Sequence, residues 1–290
     1  MSKLECIWQA KAILGEAPLW QAEQQCLYWV DMDGKKILRW NFQDREQKDV
    51  PIAHEIGCLA PRQKGGFVAG LENGLAFVDQ DLKDLKTFAS PEGDLADTRF
   101  NDGKCDPRGR FWVGSTDRQE VNPIGALYMV TPDHQVHKKV SGVTVSNGLD
   151  WSPHGTTMYF TDSGAGAIYA YDFDLETGDL QGRRTFAQVD PAEGLPDGLT
   201  VDGEGYIWSA RWDGWQICRY APDGKVDRII RLPVPRVTSM AFGGPNLDQL
   251  FITTARLGMT QDELREAPLS GSLFVMEPGV TGLPAWSFKG

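Results

Sequence analysis

The chain is written in short stretches that alternate apolar and polar side chains, and few of them keep a helical spacing. Residues 35–42 (KKILRWNF), 166–174 (GAIYAYDFD) and 215–222 (WQICRYAP) are of this kind. A period of two is the signature of half-buried strands. Between the stretches lie hairpin signals such as Pro222-Asp223-Gly224 and Thr177-Gly178-Asp179, in which glycine and aspartate tolerate the backbone a tight reversal needs.

The stretches recur as one unit. Aligned on their turns, residues 16–31, 57–70, 101–115, 147–162, 197–210 and 238–254 each give an apolar strand, a turn and a strand back. The clearest copy lies in PDGLTVDGEGYIW, residues 196–208. After each copy a loop leads to a further strand pair. Openings spaced 41 to 50 residues apart match the period of a four-stranded propeller blade. The expected fold is therefore all-β, a six-bladed β-propeller of antiparallel blades, with residues 1–290 as one domain. The last copy yields only three clear strands, ending near Pro278. Residues 4–10 (LECIWQA) precede the first copy and are expected to supply the missing outer strand, closing the ring. A short helical turn is expected at 263–267.

Composition narrows the function. A net charge of −11 disfavours nucleic acid as a partner. No run of 18 apolar residues exists, so no membrane span is expected. Glu5, Gln9 and Lys11 interrupt any secretory leader. The five cysteines form no Cys-x-x-Cys pair and read as buried free thiols in a reducing, cytoplasmic setting.

The first strand of each blade lines the central channel, so the residues opening the six copies should ring the axis at one mouth. They are Glu16, Gly57, Asn101, Asn147, Asp197 and Thr238. Asn-Gly and Asp-Gly are ordinary turn pairs when taken singly. Composition alone, however, would place Asp, Glu or Asn at about one of the six positions, and four hold one. Two carboxylates and two carboxamides make a hard-oxygen site for one divalent cation: calcium, magnesium or manganese by chemistry, zinc less naturally because no Cys or His joins the ring. The four histidines, His54, His134, His137 and His154, read as surface residues. Arg99, two residues before Asn101, points to the same face if the strand begins there, and suits an anion or an electron-rich carbonyl. The loops between second and third strands open at the same mouth. They carry Asp31, Asp33, Asp162, Ser163, Arg211, Trp212, Asp213 and Trp215, candidates for binding hydroxyls and for an aromatic floor.

At these residues the chain resembles the regucalcin/gluconolactonase family of sugar lactone hydrolases. The shared segments are GEAPLW (15–20), RFNDGKCDPRGRFWVGS (99–115), SNGLDWSP (146–153), PDGLTVDGEGYIWSA (196–210) and GGPNLDQLFITTAR (243–256). The resemblance implies a six-bladed hydrolase that opens a sugar lactone to its acid with one divalent metal ion as Lewis acid. Glu16, Asn147 and Asp197 would be the metal ligands and Asp197 the general base. Arg99, Asn101 and the blade-three loop residues Asp117, Gln119 and Glu120 would contact substrate. Animal members carry a glutamate pair where this chain has Arg118 and Gln119. The rival readings are a calcium-binding regulatory protein without turnover and an arylesterase or phosphotriesterase on the same scaffold. An extracellular adhesion propeller fits less well, because it needs no polar axial ring.

Overall fold

A computed structural model describes residues 3–290. Its strands form six four-stranded antiparallel sheets, arranged as the blades of a propeller. Blade one runs outward from the axis as Gly15–Gln21, Cys26–Asp31, Lys36–Asn41 and Gln47–Pro51. The innermost strands of blades two to six are Ile56–Pro61, Thr98–Cys105, Ser146–Trp151, Leu195–Val201 and Val237–Gly243. Burial follows position. Cys26–Asp31 is buried throughout, whereas Gln47–Pro51 is almost wholly exposed. Second strands such as Cys26–Asp31 (CLYWVD) and Phe67–Leu71 (FVAGL) are covered by neighbouring blades and read as near-continuous apolar runs; outer strands meet water and tolerate charge.

The ring closes as expected. Glu5–Trp8 pairs antiparallel with Leu273–Met276 and forms the outer strand of blade six. Aromatic side chains fill the seam this creates: Trp20 of blade one stacks on Phe251 of blade six at 5.7 Å with 7° between the planes. Such a pair adds about 1 kcal/mol beyond its buried area. The short helix is Gln261–Glu266, two residues earlier than expected at its start, because Thr260 and Glu263 form a reciprocal capping box that fixes the first turn.

Two hairpins share a device that explains aspartates in the repeat. Asp202 is fully buried. It accepts the Glu204 and Tyr206 amides at 3.0 Å each, the Trp208 indole at 2.9 Å and the Arg219 guanidinium at 2.6 and 2.9 Å. Asp106 does the same for Trp112 at 2.9 Å and Arg110 at 2.6 Å. One carboxylate thereby holds the turn and seats the buried tryptophan that packs between blades.

The repeat assigns nothing to the residues after Pro278. The structure lays them across the mouth opposite the polar ring. Gly203 donates to the Thr281 carbonyl, Gly282 to Leu247, Phe288 to Pro61 and Lys289 to Gly109, at 2.7 to 3.0 Å. Phe288 is fully buried and faces Phe77 and His134. Leu283 to Trp286 line the channel at this end. A strap of this kind has no sequence period, because its partners lie on four different blades.

Candidate active site

All six innermost strands break register at the same level. The ladder skips between Glu16 and Leu19, Ile56 and Cys58, Phe100 and Gly103, Ser146 and Leu149, Pro196 and Leu199, and Val237 and Ser239. A β-bulge frees residues from pairing and re-aims their side chains. Asn101, Asn147 and Asp197 are the first bulge residues of their strands, so their side chains turn to the axis. The glycines after two of them answer to space rather than to turn formation. A Cβ on Gly148 would lie 2.1 Å from the Leu199 nitrogen, and one on Gly198 would lie 2.2 Å from the Ser239 hydroxyl. The inner strands simply come too close for a side chain there.

The sequence alignment is one residue off in blade one. Glu16 is ladder-paired with Val30, and the bulge there begins at Ala17. Glu16 nevertheless joins Asn101, Asn147 and Asp197 in lining one cavity. Ala17 takes a φ of +47°, uncommon without glycine, and its amide meets the Glu16 carboxylate at 3.3 Å. Gly57 and Thr238 do not line the cavity. Thr238 donates to the Gly15 carbonyl at 2.5 Å, and a Cβ at Gly57 would collide with the Asn101 carbonyl.

The four polar ring residues are each at least nine-tenths buried. Asn147 donates to the Ser163 hydroxyl at 3.0 Å, and that hydroxyl donates to the Pro196 carbonyl at 2.6 Å. The relay fixes the Asn147 carboxamide with its oxygen on the Asn101 side, where it has a lone pair to spare beyond the one bond it accepts there. Asn101 donates to the Ser146 carbonyl at 2.7 Å and to Asn147 Oδ1 at 3.3 Å, which leaves its own oxygen as an acceptor. Burial first, then the charges of Asp102 and Glu120, push Asp197 well above the usual carboxylate range. Burial and then Asp197 and Asp102 do the same to Glu16. Asp102, on the channel side of the ring, is itself pushed up to about 6 by burial.

Among the described residues, no three His, Cys, Asp or Glu side chains are placed together to hold a metal. The ring offers two carboxylates and two carboxamide oxygens instead. This donor set fits a hard divalent cation on one direct observation: Asp197 Oδ1 is buried and takes no hydrogen bond. An unpaired buried carboxylate oxygen is costly, and a cation held with Glu16 and Asn147 would remove that cost.

The remaining expected residues divide. Arg99 lines the cavity with Glu120. Its Nη1 donates to the Met32 sulfur at 2.6 Å, and its carboxylate neighbours stand farther off, Asp33 at 3.6 Å, Glu120 at 3.8 Å and Glu55 at 4.0 Å. Its buried Nε has no partner among the described residues, which leaves donors for an oxygen of a ligand. Asp117 and Gln119 are not among the lining residues. The Asp117 carboxylate is engaged by its own loop, accepting the amides of Gln119, Val121 and Asn122 at 2.6 to 3.1 Å, and those bonds hold it below the usual carboxylate range. Asp31 and Asp162 play the same part in blades one and four. Arg211 is fully buried within blade five against Ser209 and Tyr220, not at the mouth. The sequence reading missed Leu14, Val145, Leu195 and Leu257, which line the cavity with Trp212. The first three stand two residues before their ring residues, as Arg99 does before Asn101; the alternation that found Arg99 would have found them on the other blades.

Six four-stranded blades around a buried acidic and carboxamide ring define the class: a propeller with an axial oxygen-donor pocket at one mouth. The chain belongs to the SMP-30/gluconolactonase/LRE-like family, whose pattern matches residues 14–256. It is 38% identical over 292 residues to regucalcin of Danio rerio and 34% identical over 295 residues to that of Homo sapiens, covering 99% of each chain in both cases. Among solved structures, a luciferin-regenerating enzyme superposes with a TM-score of 0.93 at 29% identity over both full chains. A regucalcin from Agrobacterium tumefaciens, described as a calcium-binding protein, superposes at 0.92 and 26% identity, covering 98% of this chain and 95% of the other.

Proposed function

We propose that this protein hydrolyses a sugar lactone to the open-chain acid, with a divalent cation held by Glu16, Asn147 and Asp197. Membership in a family with gluconolactonases supports the reaction, and the unpaired, buried Asp197 oxygen carries the assignment of the site. Bound there, the cation would supply Lewis-acid polarisation of the lactone carbonyl. Asp197 takes a proton from water as the water oxygen attacks that carbonyl. It returns the proton to the ring oxygen as the acyl C–O bond breaks, so one water is consumed and one hydroxy acid leaves. Arg99 donates to an oxygen of the substrate, and the Asn101 carbonyl oxygen accepts from a hydroxyl, fixing the ring over the pocket floor.

The test is lactone hydrolysis by wild type and Asp197→Ala, before and after chelation. Wild type is expected to lose turnover with chelator and regain it with added divalent ion. Asp197→Ala is expected to lose at least a hundredfold in kcat, the scale of a general base. The variant should melt no lower than chelated wild type, because it removes a buried carboxylate with an unpaired oxygen beside Glu16. Unchanged turnover in Asp197→Ala would refute the assignment. The similarity to regucalcins favours a second reading, calcium binding without turnover. Calorimetric calcium binding by a protein inert to every lactone would select it.

A further inference from the structure

The cavity above the ring has two unlike walls. On the blade-three side stand Arg99 and Glu120; along the arc of blades four, five, six and one stand Val145, Leu195, Trp212, Leu257 and Leu14. Of the polar side chains on the loops of that arc, Asp33 faces Arg99 across the mouth and four others are already engaged. Asp162 accepts the Thr144 and Val145 amides, Asp31 those of Ile13, Leu14 and Gly34, and the Ser163 hydroxyl is held between Asn147 and Pro196. Asp213 turns to Arg236 at 2.9 Å, and Arg236 in turn covers the Trp212 ring. Leu195 is 41% exposed, an apolar group kept at the mouth of a pocket although burial of its own side chain does not require it there.

A fully hydroxylated lactone carries hydroxyls around its whole edge. Seated with its carbonyl over the ring and one edge on Arg99 and Glu120, it would press the opposite hydroxyls against Val145, Leu195 and Leu257 with no partner. A hydroxyl desolvated without a partner costs roughly tenfold or more in binding, whereas a bare C–H or methyl edge gains by contact with the same wall.

We propose that the pocket selects lactones with one hydroxylated edge and one bare-carbon edge, deoxy or alkyl-substituted sugar lactones, over fully hydroxylated ones, with Val145, Leu195 and Leu257 as the discriminating residues. The proposal rests on the lactonase reading above. It refines that reading by placing hydroxyl recognition on one side of the pocket only.

A matched pair tests it: L-galactono-1,4-lactone and its 6-deoxy counterpart, assayed with wild type, Leu195→Asn and Leu257→Asn in the presence of added divalent ion. Wild type is expected to favour the deoxy lactone at least tenfold in kcat/KM, chiefly through KM. Each variant, checked for folding by its melting curve, is expected to lose most of that ratio by gaining on the hydroxylated partner. Equal or better turnover of the fully hydroxylated lactone, or a ratio unmoved in both variants, would overturn the proposal while leaving the lactonase reading in place. Failure to hydrolyse either lactone or any other of a hexono- and pentonolactone panel would overturn the lactonase reading, and this proposal with it.

Discussion

Two aspartates five residues apart, Asp197 and Asp202, show how residue type alone misleads. Both precede a glycine and both are buried, yet one has an oxygen without a partner and the other is saturated by two amides, an indole and a guanidinium. Asp197 stands out in the sequence because its position recurs around a ring. Asp202 recurs too, with Asp106, but its partners Trp208 and Arg219 become visible only when the hairpin is closed. Removing it leaves the buried Trp208 indole and two turn amides without their acceptor, while Arg219 keeps Glu204 at 2.6 Å and Asp227 at 2.9 Å. Asp202→Ala is therefore expected to cost about 1–3 kcal/mol in urea unfolding, with any residual folded protein keeping the proposed cation site. Asp197→Ala should show the reverse pattern, little stability lost and turnover gone.

For the strands and loops, periodicity carried the reading a long way. The six copies, the outer strand from residues 4–10 and the helical turn in blade six were all legible, because each is a local pattern of apolar spacing or capping. What was not legible came from register. Only the ladder shows that Glu16 sits one position ahead of the bulge that sets Asn147 and Asp197. The spent states of Asp31, Asp117 and Asp162 depend on loop closure onto amides, which composition does not encode. The outer strand makes its own prediction. A chain starting at residue 10 leaves Leu273–Met276 as a bare edge, an invitation to intermolecular pairing. It should melt several degrees lower and scatter light in a concentration-dependent way; a monomer with unchanged melting would show that the fourth strand is dispensable.

Across the whole molecule, closure by a strand from the other end of the chain has a consequence in time. Glu5–Trp8 is made long before Leu273–Met276, the strand it must pair with. At the usual pace of synthesis that interval is roughly ten seconds to a minute. Blades one to five are built from consecutive hairpins and can form as they emerge, but the sixth waits for two segments far apart in sequence, whose joining carries the largest loop-closure cost in the fold. Trp8 sits edge-on to Trp29 at 5.6 Å once the ring is shut. In refolding, the fluorescence change lost on Trp8→Phe should belong to the slowest phase, and a signal from Trp112, inside blade three, to an earlier one. A first-made segment that stays unpartnered until the end leaves an open edge, so the time to ring closure is the time that edge is exposed to other chains before the axial pocket is complete.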